Sequence, residues 1–461
     1  MRAALFLSAA FLPFAAAPAE VPDDPWHAKG REIYETAIEM PTVAGRGETA
    51  RLVEYLSRQF RDAGITDIRS FDHDGEQSMV IHWPAAILSG EKGIVLLAHM
   101  DVVEAHREDW SRDPFELIEE EGYFYGRGTA DDKQGVVALT TALLRLAEDG
   151  FEPTRDIYVL FTGDEETAQL AAERAAGEWI DLAEIEMALN ADAGGGAYLA
   201  DGSLFGFGIQ TAEKIYQSFT FTATNPGGHS SRPRPDNAIY DLVHALDRLE
   251  DHRFEPMLND TTRAYFRART QSAEPALRAA IERWLADESD GEAADIVEAS
   301  ETEVGMTRTR CVATMLEGGH AENALPQMAR ATVNCRIFPG VDPASVFATL
   351  QQIAEPNGVT VEPIEEARPT EASPLRDDVM NAFTTAVRAR HPGAAIVPDM
   401  STGATDGLYF RAAGIPTYGV NGAWYRIPAD ERAHGRDERL PVESFYDNID
   451  HWTDLIRDLA G

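Results

Sequence analysis

His99 and Asp101 lie two positions apart, at the end of an apolar run (residues 93–98) of the kind that forms a buried parallel strand. Side chains two positions apart in a strand point to the same side. A carboxylate placed there can hold the far nitrogen of a metal-binding imidazole, which fixes the tautomer and raises the basicity of the ring. A pair of this kind is usually structural when it stands alone, so its meaning depends on the residues around it.

Three further acidic blocks each follow a predicted turn or strand. They are Asp131 and Asp132 after the glycine-rich turn 125–130, Glu165 and Glu166 after the apolar run 156–161, and Asp192 after the apolar run 187–190. At the first block the residues alone leave capping and metal binding equally open, since a helix N-terminus also favours carboxylates. Ligands of doubly wound sheets bind just outside the carboxyl ends of the strands, so we expect all three blocks to gather around His99.

Carboxylates brought together in this way need compensation. Each close pair costs about 4 kcal/mol at a separation of about 4 Å when the effective dielectric constant is about 20. Either their pKa values rise steeply or cations lie among them. A histidine among carboxylates supplies the nitrogen and oxygen ligands that suit Zn²⁺, with Mn²⁺ or Co²⁺ as alternatives. Two divalent ions bridged by one carboxylate would neutralise most of the cluster.

The elements that must position these residues alternate between strand and helix. Strands are predicted at 93–99, 156–161, 187–190 and 417–420, and helices at 135–149, 377–390 and the C-terminus. This alternation predicts an α/β fold with a doubly wound, mostly parallel sheet.

Between these two parts the pattern changes near residue 210. Residues 218–224 alternate strictly between apolar and polar, as a half-exposed antiparallel strand does. The further predicted elements are a helix at 237–249, a polar stretch up to 305, strands at 307–316 and 329–338, a helix at 343–354 and a strand at 359–362. We therefore predict a catalytic domain formed by residues 26–209 plus 370–461, and an inserted α+β domain at 210–369.

Composition excludes several classes of protein. The 461 residues include 78 acidic and 40 basic side chains, a formal net charge of −38, so we expect no nucleic-acid partner. Residues 1–19 contain Arg2, an apolar run and the small residues Ala17 and Ala19, which is typical of a signal peptide cut after about Ala19. We expect a secreted or periplasmic protein without a membrane anchor. A buried N-terminal helix is the alternative interpretation.

The two cysteines, Cys311 and Cys335, are too few for a disulfide scaffold. They lie in two predicted strands, and a hairpin centred near Asn323 would allow them to face each other. An oxidising compartment would then permit one bridge. Two buried thiols remain the other interpretation.

Five sequence blocks, in this order, resemble the M20 metallopeptidase family. They are LAHMDVV at 97–103, Trp110 with DPF at 113–115, GRGTADDK at 126–133, DEE at 164–166 and GGHSS at 227–231. The resemblance extends over roughly residues 30–455 and is closest to the branch of carboxypeptidase S and N-acyl-amino-acid hydrolases. The family includes carboxypeptidases, dipeptidases and aminoacylases.

The resemblance implies a role for each residue of the cluster. His99 and Asp192 would bind one metal ion, Glu166 and His434 the other, and Asp131 would bridge them, so that two Zn²⁺ are expected per chain. Asp101 would orient His99, and Glu165 would be the general base. The Asp131–Asp132 peptide bond is expected to be cis.

The inserted domain resembles the lid and dimerisation domain of the family, which implies a possible homodimer. There, His229 would stabilise the oxyanion, while Asn323 and Arg336 would hold the substrate carboxylate. Arginine suits that task because its planar fork pairs with a carboxylate through two hydrogen bonds. Gly403 and Thr405 belong to a GATDG stretch at 403–407 that matches the family's GGTD loop, except that Ala404 replaces glycine.

The sequence thus predicts an exported dinuclear zinc hydrolase that cleaves an amide bond next to a free carboxylate. A small peptide or an N-acyl amino acid would be its substrate. An aminopeptidase of the M28 type is the alternative enzyme, although the insertion with its GGHSS block argues against it. A non-catalytic binding protein of the same fold is a third reading, and the complete ligand set with Glu165 argues against that one.

Overall fold

The computed structural model describes residues 23–87 and 89–461, and the predicted signal peptide at 1–19 lies outside this range. The strands are β1 (Asp67–His73), β2 (Glu76–Trp83), β3 (Gly93–His99), β4 (Ile118–Glu120), β5 (Tyr123–Tyr125), β6 (Ile157–Thr162), β7 (Ile185–Tyr198), β8 (Leu204–Glu213), β9 (Ile215–Thr224), β10 (Gly228–His229), β11 (Arg310–Gly318), β12 (Ala324–Leu325), β13 (Met328–Ile337), β14 (Thr360–Pro363), β15 (Ile396–Ser401), β16 (Thr417–Arg426) and β17 (Arg439–Pro441). The helices are α1 (Pro25–Ile38), α2 (Glu48–Asp62), α3 (Lys133–Glu148), α4 (Leu170–Arg174), α5 (Ala238–Asp251), α6 (Asp260–Arg269), α7 (Pro275–Ala286), α8 (Gly291–Glu298), α9 (Pro343–Ala354), α10 (Asp377–Arg390), α11 (Gly407–Ala412) and α12 (Val442–Ala460).

An eight-stranded sheet with the order β1-β2-β6-β3-β7-β16-β8-β15 forms the framework. Its central pairings β6–β3, β3–β7 and β7–β16 are parallel, as is β8–β15 at one edge. The pairings β1–β2 and β2–β6 at the other edge are antiparallel. The mostly parallel α/β sheet predicted from the sequence is therefore confirmed.

Helices cover both faces of this sheet. Side chains of β3 alternate between the two faces, since Ile94 and Leu96 join one hydrophobic cluster whereas Val95 and Leu97 join another. Helices α1, α2, α3, α10 and α12 contribute to the first cluster. The segment after α4 and helix α11 contribute to the second. A strand buried on both faces must be apolar throughout, which is why β3 reads as a continuous apolar run.

A second, antiparallel sheet with the order β11-β13-β9-β14 is built from residues between 215 and 363. Helices α5 and α9 pack on it around a separate hydrophobic cluster. The strand β11 lies at the edge, and most of its side chains are exposed. Cys311 and Cys335 are partners in the β11–β13 register and form a disulfide, so the bridged alternative is the one observed.

Sequence reasoning missed several elements. The stretch before residue 305, interpreted as polar, contains α6, α7 and α8, which pack around Phe266 and Trp284 and against Met400 of β15. A capping box at Asn259 and Thr262 marks the start of α6 and is the local signal for it. The hairpin of β1 and β2 and the strand β15 were also not predicted. Among the helices of residues 23–87 and 89–461, none combines the length and the apolar character that a membrane span requires.

Candidate metal centre

His99 is the last residue of β3, and its side chain is 1% exposed. The Nε2 atom lies 2.9 Å from Asp131 Oδ1 and 3.6 Å from Asp192 Oδ1. The Nδ1 atom on the other side of the ring lies 3.0 Å from the backbone oxygen of Asp101 and 3.6 Å from its carboxylate. The backbone of Asp101 thus orients the imidazole more closely than its carboxylate does.

The carboxylate of Asp101 is occupied elsewhere. Its two oxygens accept hydrogen bonds from the backbone N–H groups of Glu165 and Glu166, at 3.1 and 2.9 Å. Asp101 therefore fixes the turn after β6 that presents both glutamates. This contact ties the ends of β3 and β6 together at the carboxyl edge of the sheet.

Asp131 joins two groups of ligands. Its Oδ1 faces His99, while its Oδ2 lies 3.1 Å from His434 Nε2, which is also 2.9 Å from Glu166 Oε1. Two sets of potential ligand atoms result, His99 with Asp131 and Asp192, and Asp131 with Glu166 and His434, each with its atoms within 4.8 Å of one another. The residue predicted to bridge is the one the two sets share. The Asp131–Asp132 peptide bond is cis, as expected.

The fully buried side chain of Glu438 anchors the loop that carries Asp131. Glu438 Oε1 accepts hydrogen bonds from the backbone N–H groups of Ala130 at 2.7 Å, and of Gly128 and Asp131 at 3.1 Å. Its other oxygen pairs with the buried guanidinium of Arg127, which also donates to the backbone oxygen of Gly435 at 3.0 Å. The Arg127–Glu438 pair therefore connects the Asp131 loop with the loop that carries His434.

The charges of the cluster are strongly coupled. Burial lowers the pKa of His99, but Asp192, Asp101 and Asp131 outweigh it and raise that pKa well above its usual range. Hydrogen bonds to Asp131 and Glu166 raise the pKa of His434 to about 10. Burial raises the pKa of Asp192 to about 6. The carboxylates thus stabilise the protonated, positively charged form of both imidazoles. A divalent cation would displace these protons and lie in their place.

Each set of ligands offers one imidazole nitrogen and two carboxylates, which fits the donor chemistry of Zn²⁺ with a position left for water or substrate. Because one carboxylate belongs to both sets, the residues present fit a pair of divalent ions. His434 is the most exposed member, with 56% of its side chain accessible.

Glu165 lies beside this cluster without belonging to either ligand set. Burial raises its pKa well above the usual range; His99 opposes this shift, while nearby Asp192, Asp406 and Glu166 add to it. Its Oε1 accepts a hydrogen bond from Gln169 Nε2 at 2.8 Å. A carboxylate with a raised pKa next to a cation site has the chemistry of a proton carrier.

A cavity of about 320 Å³ lies between Asp192 and the loop after β15, where it is lined by Thr402 and Thr405. Arg336 of β13 reaches this loop from the second sheet, since its Nη1 donates to Thr402 O at 3.3 Å. The structure thus brings Arg336, Gly403 and Thr405 to one region beside the cluster. The amide and hydroxyl of Thr405 are both directed at buried Glu213, so Thr405 shapes the cavity wall rather than offering a free donor.

The structure does not bring His229 and Asn323 to the cluster. His229 lies in β10, is exposed, and its Nδ1 contacts Ser231 Oγ at 2.8 Å. Asn323 is exposed in the turn before β12, and its backbone oxygen accepts from Ser230 N. The hydrogen bonds and ion pairs formed by the described residues do not connect either side chain with the acidic cluster.

Three contributors were not predicted as functional: Arg127, Glu438 and Gln169. Arg127 lies inside the recognised block at 126–133, and Glu438 lies four positions after His434, but nothing local marks their pairing. Gln169 lies in a polar stretch with no signal of its own. Only the three-dimensional contacts identify them.

Comparisons with known proteins place this arrangement in a family. The family model described as "Peptidase family M20/M25/M40" matches residues 95–458. Aminoacylase-1 of Mus musculus is 27% identical over 93% of this chain and 95% of its own length. The N-fatty-acyl-amino acid synthase/hydrolase PM20D1 of Xenopus tropicalis is 27% identical over 79% of this chain and 72% of its own length.

Solved structures agree on the fold. The M20 family metallo-carboxypeptidase Sso-CP2 from Sulfolobus solfataricus superposes with a TM-score of 0.68, at 17% identity over 93% of this chain and 98% of that one. The di-peptidase Dug1p from Saccharomyces cerevisiae gives a TM-score of 0.63, at 16% identity over 93% and 95% of the two chains. The resemblance found in the sequence blocks is thereby confirmed, and the chain belongs to peptidase family M20/M25/M40, whose members are metal-dependent hydrolytic enzymes.

Proposed function

We propose that this chain is a dinuclear zinc hydrolase that cleaves an amide bond next to a free carboxylate. The observation that carries the proposal is the sharing of Asp131 between two ligand sets, with Glu165 beside them. His99 and Asp192 would hold one ion, Glu166 and His434 the other, and Asp131 both. Mn²⁺ or Co²⁺ could replace zinc at the same atoms.

The ions, when bound, would polarise the amide carbonyl and lower the pKa of water. Glu165 takes the proton from the attacking water and passes it to the leaving amine. This assignment is supported by its position outside both ligand sets and by its raised pKa. Asp101 holds the backbone of the turn on which Glu165 lies.

Arg336 recognises the carboxylate of the substrate in this proposal. Its guanidinium lies over the ring of Tyr216, 4.8 Å from the centroid, and reaches the rim of the cavity next to Asp192. A substrate carboxylate at Arg336 would place the neighbouring amide over the metal ligands. Gly403 and Thr405 would shape the wall of this subsite.

A second cavity beside the cluster offers room for the acyl part of the substrate. A cavity of about 680 Å³ borders Asp131 and Asp192 and is lined by the small residues Ala193, Gly194 and Gly195 together with Tyr425 and Ile427. Small peptides and N-acyl amino acids therefore remain the proposed substrates, in keeping with the names of the relatives.

We also propose that residues 210–369 act as a lid and dimerisation domain. The edge strand β11 and helix α5 expose six large apolar side chains, at 37–66% of their accessible area: Ile239, Tyr240, Val243, Val312, Met315 and Leu316. An exposed apolar edge strand has unpaired backbone groups that can pair with another chain, which in this proposal is a second copy. In such a homodimer His229, exposed and remote from its own cluster, would donate to the oxyanion in the partner's site.

Export to the periplasm or outside the cell is part of the proposal. The Cys311–Cys335 disulfide supports it, because disulfides persist in oxidising compartments and are rare in the cytosol.

The test is a screen of N-acyl amino acids and dipeptides against the zinc-loaded protein, with the C-terminal amides as comparison. Glu165→Gln should keep both metals and lose roughly 10²–10⁴-fold in kcat. Glu178→Gln, at an exposed glutamate in the segment after α4, is the matched control and should keep wild-type activity. Substantial activity in metal-replete Glu165→Gln would contradict the assigned base.

A further inference from the structure

Gln169 has an unusual backbone conformation for its residue type. It lies directly before α4 with φ 51° and ψ 27°, in the left-handed region. Glycine adopts this region freely, whereas a residue with a Cβ atom does so at a cost. Strained residues of this kind are retained where the surrounding structure uses them, often at active sites.

Within the part of the chain that the structure describes, the side chain of Gln169 makes one hydrogen bond, which its Nε2 donates to Glu165 Oε1 at 2.8 Å. The left-handed turn is closed by the backbone, since Gln169 N donates to Asp164 O at 2.8 Å. This geometry folds the chain back so that residue 169 faces residue 165. A glycine at the same position would keep the turn and lose the contact.

The carboxylate of Glu165 is held on one side only. Oε1 receives the bond from Gln169, while Oε2 has no hydrogen bond from any residue that the structure describes. The backbone N–H of Glu165 is anchored separately, at 3.1 Å from Asp101 Oδ1. Asp101 therefore fixes where the residue lies, and Gln169 fixes how its carboxylate is turned.

We propose that Gln169 is a positioning residue that orients the general base, leaving Oε2 of Glu165 available for the proton of the attacking water. The inference rests on the proposed role of Glu165 and deepens it. Without the bond, the carboxylate would rotate among several orientations, and only a fraction of them would be productive. The substrate and the metal ligands would not be affected.

Two variants separate the hydrogen bond from the backbone strain. Gln169→Met keeps the length of the side chain and the strained backbone but removes the donor. Gln169→Gly removes the donor and relieves the strain. We expect kcat to fall about tenfold or more in both, the effect of one lost hydrogen bond to a charged group, with unchanged KM and two zinc ions per chain by elemental analysis.

Thermal stability gives the readout that a merely structural role would not produce. Gln169→Gly should have a Tm equal to or above that of the wild type although its kcat falls. Glu121→Gly is the matched control, because Glu121 is an exposed turn residue with φ 52° outside the site. Its Tm should likewise not fall, and its kcat should stay at the wild-type value.

A wild-type kcat in Gln169→Met would overturn the inference. The inference would also fail if the lower activity of either variant came from loss of zinc or from a raised KM. A Gln169→Gly protein that melts earlier but keeps its kcat would assign Gln169 to folding alone. These outcomes differ from failure of the proposed function. Inactive Glu165→Gln with fully active Gln169→Met refutes only the positioning role, whereas active Glu165→Gln refutes the base itself.

Discussion

Replacement of Glu438 by glutamine tests how the metal ligands are held. Glu438 is fully buried and accepts three backbone hydrogen bonds from the Asp131 loop as well as the ion pair from Arg127. The glutamine amide keeps the shape of the side chain but removes its negative charge. It also replaces one acceptor oxygen by an NH2 group, a donor that would face the N–H donors around it. Arg127, only 2% exposed, would be left as an uncompensated buried cation.

The expected cost follows from these contacts. Removal of one partner of a buried ion pair costs about 3–5 kcal/mol. At roughly 2–4 °C per kcal/mol for domains of about 150–250 residues, Tm should fall by about 6–20 °C. The same change loosens Asp131 and the His434 loop, so zinc affinity should fall by roughly 10–100-fold, as for other residues that support metal ligands.

The assay is competition for zinc with a chromogenic chelator, combined with thermal melting of the metal-depleted protein. Glu303→Gln is the matched control, since Glu303 is fully buried and pairs with Arg269 at 2.7 Å. Its cluster lies among α6–α8, so it should lose stability without losing zinc affinity. If both variants bind zinc as tightly as the wild type, Glu438 serves folding only and the reasoning is refuted.

Three further results are expected. Arg336→Ala should raise KM far more for substrates with a free carboxylate than for their amides, and equal effects on both would show that Arg336 does not bind that group. The Glu165→Gln and His229→Ala homodimers should each be nearly inactive, but a mixture of the two should recover about a quarter of wild-type activity after subunit exchange. The reason is that about half of the dimers would then be heterodimers, each with one intact site. Inactive verified heterodimers would exclude a role of His229 in the partner's site. Burial lowers the pKa of Lys214 to about 7, so above that pH the unfolded protein binds more protons at Lys214 than the folded protein does. The unfolding free energy of the wild type relative to Lys214→Met should therefore rise by up to about 1.4 kcal/mol per pH unit between pH 7 and 9 in chemical denaturation, and a flat difference would contradict the shift.

Much of the acidic cluster was predictable because His99, the glutamates at 165 and 166, and Asp192 follow apolar runs, while Asp131 follows a glycine-rich turn. A polar residue at the end of one of the apolar runs 93–98, 156–161 and 187–190 stands out against the run that precedes it, and parallel strands place such residues at one edge. His434 needed the family resemblance, since its loop is polar throughout. The division of the chain at 210–369 stays a prediction, although β8, up to Glu213, pairs within the large sheet.

Other features depend on contacts that no local pattern records. The partners Arg127 and Glu438 are 311 positions apart, so neither looks buried in the sequence. The conformation of Gln169 follows from a turn closed by Asp164, and its residue type gives no hint of a positive φ. Strand β15 contains Pro398 and Asp399, which interrupt the apolar pattern that would reveal it.

The most direct test of the dinuclear site is a zinc titration of the metal-depleted protein, followed at each step by hydrolysis of an N-acyl amino acid. We expect activity to rise until two zinc ions are bound per chain, and Glu166→Ala to bind one ion and show little activity. Full activity at one zinc per chain, or two tightly bound ions in Glu166→Ala, would contradict the shared role of Asp131 and the ligand assignment built on it.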